Sequence, residues 1–209
     1  MNKSYLSLYL VTCNNNHKDF EYKIMSAIKA GITCIQLRDK ALNSKQLLKI
    51  AYRLRRITSD NNLPLIINDD IELATAVDAD GIHLGQQDMS WQTAREKLGI
   101  NKIIGLSIEN TTQAQQNQNA KVDYFGVGPI FPTSSKMNAP QPLGYQGLKA
   151  VTQVLNKKPC VAIGGIKQDN FRQVLKCDVA GIAIISSIMN SPDPYYATYS
   201  FRQAINEKP

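Results

Sequence analysis

The chain has 209 residues, which suits one or two domains, and 43% of them are hydrophobic, as in an ordinary globular protein with a buried core. The net charge of +7 comes from basic residues spread along the chain, so no charged block indicates a nucleic acid or a membrane surface as the partner. No apolar run reaches the length of a membrane span and the N-terminus lacks a signal-peptide layout, so we expect a cytoplasmic protein.

The predicted strands are short, β-branched apolar runs at nearly even spacing. Such near-continuous apolar runs are typical of strands buried on both faces, as in a parallel sheet. The eight runs cover residues 7–12, 34–39, 64–69, 81–85, 102–107, 124–129, 160–166 and 181–186.

Helical patterns lie between these runs. The first covers residues 20–30, and the second begins at 44 with Asn43 or Ser44 as its N-cap. Six more follow, the last through residues 195–207. Eight alternating strands and helices predict an α/β fold, a (β/α)8 TIM barrel in which residues 1–209 form a single catalytic domain. A doubly wound open sheet is the alternative.

Four cysteines, Cys13, Cys34, Cys160 and Cys177, form no CxxC pair, so neither a zinc site nor a redox motif is indicated. We expect buried thiols rather than disulfides. The long Pro-, Ser- and Gly-rich segment at residues 131–147 is predicted to be a functional loop, since long loops in compact domains usually are.

Active sites of such barrels lie at the C-terminal ends of the strands, and the polar residues of this chain cluster there. Asp69 and Asp88 end neighbouring strands and could hold Mg²⁺ together with a phosphate oxygen. The other reading is that Asp70 or Asp88 only caps the following helix. Arg38, Lys40 and Lys136 would supply further positive charge for an anionic substrate.

Gly164 and Gly165 after strand seven, with Ser186 and Ser187 after strand eight, indicate a second anion site. A tight turn would explain either glycine equally well. His83 lies within an apolar strand and is interpreted as a packed, hydrogen-bonded residue rather than a catalyst.

The strand ends together resemble thiamine-phosphate synthases. The segments QLRDK, INDD, ADGIHLGQQD, GPIFPTSSK, AIGGI and GIAIISSI occur in the order and spacing of that family, and the resemblance covers nearly the whole chain. It implies a transferase that joins 4-amino-2-methyl-5-hydroxymethylpyrimidine pyrophosphate to 4-methyl-5-(2-hydroxyethyl)thiazole phosphate and releases pyrophosphate. The implied partners are these small phosphorylated molecules, with no nucleic acid and no membrane. Whether the chain forms a homo-oligomer stays open.

The resemblance also implies roles for single residues. Asp69 and Asp88 resemble the Mg²⁺ ligands, and Arg38, Lys40 and Lys136 resemble the catalytic cations. The pyrimidine pyrophosphate would contact Gln36, Arg38, Lys40, Asn68, Ser107 and Lys136. The thiazole phosphate would contact Thr133, Ser135, Gly165, Ile185 and Ser186.

The chain departs from the family pattern at two positions. Glu109 stands where many members carry His, and Gln87 stands where many carry Glu beside the second aspartate. Neither change removes an expected Mg²⁺ ligand, although the first bears on substrate contacts near Ser107.

Two alternatives are kept. Thiazole tautomerases share the barrel but resemble proteins with a His in the sixth strand segment, where this chain has residues 128–130, GPI. The other is a non-catalytic regulatory or binding protein, for which the net charge of +7 suggests nucleic acid as the partner. An acidic partner should leave a clustered basic patch, and the densest candidate, YRLRRI at 52–57, is interpreted as a solvated helix face.

Overall fold

A computed structural model describes residues 3–13, 17–136 and 139–207, and its eight parallel strands form one closed barrel. The first strand pairs with the eighth, Leu8 lying opposite Ile182, which closes the sheet. The TIM barrel is therefore confirmed and the open sheet is excluded. The strands are Leu8–Val11 (β1), Cys34–Leu37 (β2), Leu65–Asn68 (β3), Gly81–Leu84 (β4), Ile103–Ile108 (β5), Tyr124–Val127 (β6), Cys160–Ile163 (β7) and Gly181–Ile184 (β8).

Each of the eight predicted helical segments contains a helix. The helices are Phe20–Lys29 (α1), Ser44–Asp60 (α2), Ile71–Ala76 (α3), Trp91–Leu98 (α4), Thr111–Asn117 (α5), Gly144–Leu155 (α6), Phe171–Val174 (α7), Ser186–Met189 (α8) and Pro194–Asn206 (α9). The short helix α8 was not predicted, because Ser186 was assigned to the end of a strand. Helix α6 begins at Gly144, inside the predicted loop 131–147, and residues 137 and 138 of that loop lie outside the described residues.

Short polar side chains cap the N-termini of several helices by accepting hydrogen bonds from the free backbone N–H groups there. Asn43 and Gln46 form a capping box at α2. Asp70 caps α3 through the N–H of Leu73, and Ser90, not Asp88, caps α4. The carboxylate of Asp88 is therefore available for another role, whereas that of Asp70 is used in the fold.

Two apolar layers hold the barrel together. The larger lies between the sheet and the helices, and the smaller fills the barrel interior with Tyr9, Val11, Tyr124, Val161 and Ala183, among others. Interior and exterior side chains alternate along each strand, as the pleat requires. The polar residues at the strand ends consequently stand on a packed base.

On the outside, the basic helix segment 52–57 is balanced by acidic neighbours. Arg53 pairs with Glu21 on α1, and Arg55 pairs with Asp80 before β4. These contacts support the interpretation of a solvated helix face. In the described residues, none of the helices is long and apolar enough to cross a bilayer.

Candidate active site

A cavity opens at the C-terminal ends of the strands and encloses about 990 Å³ of empty space, part of it open to solvent. Of the thirteen predicted site residues, eleven line it: Gln36, Arg38, Lys40, Asn68, Asp69, Asp88, Ser107, Thr133, Ser135, Lys136 and Ile185.

The other two, Gly165 and Ser186, are not in the cavity lining. Gly165 has a left-handed backbone with φ of 65°, and a Cβ there would lie 2.6 Å from the Pro132 carbonyl oxygen. Its missing side chain thus lets the loop after β7 pack against the loop after β6. Ser186 is the first residue of the short helix α8, while its neighbours in sequence, Gly164 and Ile185 respectively, do line the cavity.

Asp69 and Asp88 stand close together at the ends of β3 and β4. Asp69 adopts a left-handed conformation with φ of 63°, fixed by its N–H, which donates to the His83 carbonyl at 2.9 Å. The Asp88 carboxylate accepts from the Gly85 N–H at 2.7 Å. A non-glycine residue in this conformation carries backbone strain, which often accompanies a functional position.

The surroundings of the Asp69 carboxyl, with Asp88 beside it, disfavour its negatively charged form. Burial raises its pKa to about 6, the neighbouring Asp88 adds to the shift, and Lys40, 3.3 Å away, opposes it. Two crowded carboxylates with hard oxygen donors are a suitable partial ligand set for Mg²⁺. No group of three or more His, Cys, Asp or Glu side chains able to hold a metal occurs in the described part of the chain.

Three cations surround the same cavity, each already in contact with the protein. Arg38 donates to the Ser135 carbonyl at 3.2 Å, and Lys40 pairs with Asp69. Lys136 donates to Glu109 at 2.7 Å between Nζ and Oε1. The loop after β6 is therefore tied to the barrel through both Ser135 and Lys136.

A buried polar chain crosses the floor of the cavity. Gln36 donates to the Tyr9 hydroxyl at 3.0 Å, and the hydroxyls of Tyr9 and Tyr124 lie 2.9 Å apart. His83 contacts Tyr124 through Nδ1 and Ser107 through Nε2, at 2.9 Å each. Burial lowers the pKa of His83 to about 4, so its ring is neutral near pH 7.

His83 is hydrogen-bonded on both ring nitrogens, which agrees with its interpretation as a packed residue. The two tyrosines were missed as cavity residues, because Tyr within an apolar strand reads as core. Two other signals could have found the arrangement. The signals are Gly105 in β5 and Gly126 in β6. A Cβ at Gly105 would lie 2.5 Å from His83 Nδ1, and a Cβ at Gly126 would lie 2.8 Å from His83 Cε1. Glycine within a strand often marks such a close approach.

Comparison with known proteins gives consistent results across the chain. The family model described as thiamine monophosphate synthase matches residues 8–188. A thiamine-phosphate synthase of Clostridium botulinum (strain 657 / Type Ba4) is 41% identical over 188 residues, covering 89% of this chain and 91% of that protein. One of Methanobrevibacter smithii is 38% identical over 209 residues, covering 100% of this chain and 99% of its own.

A solved structure agrees with these relatives. Thiamine phosphate pyrophosphorylase from Pyrococcus furiosus superposes with a TM-score of 0.87 at 35% sequence identity. The match covers 98% of both chains. The similarity therefore includes the complete barrel and the loops that carry the cavity.

Proposed function

The chain belongs to the thiamine monophosphate synthase family, and we propose that the cavity described above carries out the synthase reaction with the residues assigned below. The activity is that of a thiamine-phosphate synthase, a transferase that makes thiamine phosphate and pyrophosphate from a pyrimidine pyrophosphate and a thiazole phosphate. The observation that carries the assignment is the convergence of three cations and two aspartates on one cavity.

The cations are assigned to the pyrophosphate of the pyrimidine substrate. Arg38 can bind two phosphate oxygens with its planar guanidinium, and Lys40 and Lys136 act as point charges. Lys136, on the loop after β6, is assigned to the pyrophosphate as it leaves. Its present partner Glu109 would be exchanged for phosphate oxygens when substrate binds.

Mg²⁺ is proposed to bind between Asp69 and Asp88. Burial and, after it, the neighbouring Asp88 raise the pKa of Asp69, and this supports the proposal because a cation between the two carboxylates would relieve their repulsion. Two protein ligands are typical for Mg²⁺, which keeps waters and substrate oxygens in its remaining positions. When bound, the ion supplies positive charge that favours departure of the pyrophosphate.

Gln36, Asn68 and Ser107 are assigned to the pyrimidine. Thr133 and Ser135 on the loop after β6, with Ile185 at the end of β8, are assigned to the thiazole phosphate. Gly165 and Ser186 are assigned to the phosphate end of that pocket, where backbone N–H groups after strands seven and eight would be the donors. Tests of these two residues should accordingly target the backbone conformation as well as the side chain.

The chemistry follows from the substrates. The bond that breaks joins the pyrimidine CH₂ to a pyrophosphate oxygen, which takes the bonding electrons. The electron-rich aminopyrimidine stabilises the resulting cationic carbon, and the thiazole nitrogen then donates its lone pair to form the new C–N bond. The protein has to stabilise the departing charge and hold the two rings in line, so no nucleophilic side chain is needed.

The sister tautomerase reaction has no support at this site. It would require a proton-transfer group in the sixth strand segment, where Gly128 and Pro129 line the cavity instead. We further propose that residues 1–209 form one catalytic domain and that the enzyme works in the cytoplasm, where phosphorylated biosynthetic intermediates are made.

Pyrophosphate release tests the proposal directly. Purified protein is given both substrates with Mg²⁺, each substrate alone, and both substrates with EDTA. We expect release that needs both substrates and stops with EDTA. Release without the thiazole phosphate would indicate a hydrolase, and undiminished release in EDTA would remove the assignment of Asp69 and Asp88.

A further inference from the structure

Gln36 is the first member of the hydrogen-bonded chain on the cavity floor, and its amide oxygen is an acceptor that this chain does not use. Gln36 is 4% exposed and donates from Nε2 to Tyr9, and its amide oxygen has no hydrogen-bond partner in residues 3–13, 17–136 or 139–207. A buried acceptor without a partner is costly unless a ligand satisfies it. Since Gln36 lines the cavity, that oxygen is available to a ligand there.

The direction of the first hydrogen bond is fixed, because the Gln36 amide nitrogen can only donate, and it orients the assignment of the others. We assign the Tyr9 proton to the Tyr124 oxygen and the Tyr124 proton to Nδ1 of His83, the arrangement in which each hydroxyl donates to the next member of the chain. The thiol of Cys34 also lies beside Tyr9, but sulfur is the weaker acceptor.

The other end of the chain therefore has the opposite polarity. A neutral imidazole that accepts at Nδ1 carries its proton on Nε2, which donates to Ser107 Oγ at 2.9 Å. The Ser107 hydroxyl proton remains, and Ser107 lines the cavity. The cavity thus offers an acceptor at Gln36 and a donor at Ser107, linked through three side chains.

We propose that Tyr9, Tyr124 and His83 are positioning residues that fix this polarity and so determine which pyrimidine is accepted and which way round it lies. An aminopyrimidine is complementary: its amino N–H donates to the Gln36 oxygen, and a ring nitrogen accepts from Ser107. An oxo group in place of the amino group would put two acceptors face to face. This inference rests on the proposed assignment of Gln36 and Ser107 to the pyrimidine.

The barrel packs closely around the Tyr124 and His83 rings in the middle of this hydrogen-bonded chain. A Cβ at Gly105 would lie 2.3 Å from the Tyr124 ring and 2.5 Å from His83 Nδ1, and a Cβ at Gly126 would lie 2.8 Å from His83. The two rings therefore occupy space that any larger residue would fill. Such close packing holds both rings in one orientation and leaves little freedom to reverse the chain.

The test compares two unreactive ligands, the 4-amino and 4-oxo forms of the 5-hydroxymethylpyrimidine monophosphate, as competitive inhibitors. Their inhibition constants are measured on the wild type, Tyr124→Phe and Tyr9→Phe. Each substitution removes one hydroxyl and breaks the chain at a different link. The matched control is Tyr52→Phe, which removes a hydroxyl bonded to the Ala76 carbonyl on the outside of the barrel.

We expect the wild type and the Tyr52 variant to prefer the amino form by about 100-fold or more, since a site built for a hydrogen bond rejects the ligand that lacks it. In Tyr124→Phe and in Tyr9→Phe we expect the preference for the amino form to fall below about 10-fold, with tighter binding of the oxo form. The reason is that the remaining hydrogen bonds can reverse their direction once one hydroxyl is missing. Weakening of both ligands by the same factor would show a structural role only and overturn the proposal.

Melting temperatures show whether each variant folds. If either Tyr124→Phe or Tyr9→Phe fails to fold, the other variant tests the proposal. An unchanged amino preference in a folded variant would also overturn the inference while leaving the synthase activity intact. If the wild type bound neither monophosphate, the pyrimidine assignment itself would be wrong. The two failures are therefore distinguishable.

Discussion

Lys136 and Glu109 form an ion pair across the mouth of the barrel, with 2.7 Å between Nζ and Oε1. Lys136 is on the loop after β6 and Glu109 directly follows β5. The residue assigned to the leaving pyrophosphate is thus held by a carboxylate.

Replacing Glu109 with Gln should strengthen the binding of pyrophosphate. The neutral side chain keeps its size but no longer competes for Lys136, and exposed ion pairs are worth about 0.2–1 kcal/mol. We expect the inhibition constant of product pyrophosphate to fall by about 1.5- to 5-fold, measured in steady-state assays. Weaker pyrophosphate inhibition in the variant would mean that Glu109 assists the site by orienting Lys136 instead of competing for it.

Replacing Lys136 with Ala should lower turnover severely while leaving the fold intact. Loss of one group that stabilises developing charge costs about 10²- to 10³-fold in kcat, and the half-exposed Lys136 contributes little to packing. Turnover and melting temperature should be compared with Lys49→Ala, an exposed lysine on α2. Near-normal turnover would remove Lys136 from the reaction.

The barrel and most of the cavity could be predicted from the sequence because both depend on local patterns. Short apolar runs give the strands, and polar residues at strand ends converge by the geometry of parallel sheets. Asp69 and Asp88 were predicted together for this reason. The different surroundings of the two aspartates could not be predicted, because the left-handed backbone of Asp69 and the helix cap at Ser90 are set by three-dimensional contacts.

The polar chain could not be predicted for a related reason. Tyr9 is on β1 and Tyr124 on β6, and the contact between their hydroxyls crosses the barrel interior between strands that are not neighbours. Sequence patterns show which residues point inward, but not which inward residues from distant strands meet. The same limit applies to Lys136 and Glu109, whose contact depends on the path of a loop.

Replacing Gly105 with Ala should damage both stability and activity. The added methyl would lie 2.3 Å from the Tyr124 ring, so the ring would have to move. Overpacking of this kind costs about 1–3 kcal/mol in the free energy of unfolding, measurable by urea denaturation. Gly99→Ala tests whether position matters. A Cβ there meets nothing within 4 Å, and its cost should come from the backbone φ of 81° alone. Retained activity in the folded Gly105 variant would show that the chain tolerates displacement.

The binding of Mg²⁺ should depend on pH through Asp69. Its pKa of about 6 in the metal-free protein means that the carboxyl is largely protonated at pH 5 and ionised at pH 7.5. Because the folded-state pKa lies above the ordinary value of 3.8, this group favours the folded state at low pH and loses that contribution as the pH rises through 6. A bound cation at pH 7.5 would reverse the loss, so Mg²⁺ should raise the melting temperature more at pH 7.5 than at pH 5.

Asn variants of the two carboxyls supply the control. Asp69→Asn keeps the size of the side chain and removes the titrating group, so the melting temperature should respond weakly to Mg²⁺ at both pH values. Asp70→Asn changes a neighbouring carboxyl that caps α3 and should keep the pH-dependent Mg²⁺ effect. Asn also serves as a helix cap, so this variant should fold normally. An equal Mg²⁺ stabilisation of the wild type at pH 5 and pH 7.5 would place the ion away from Asp69.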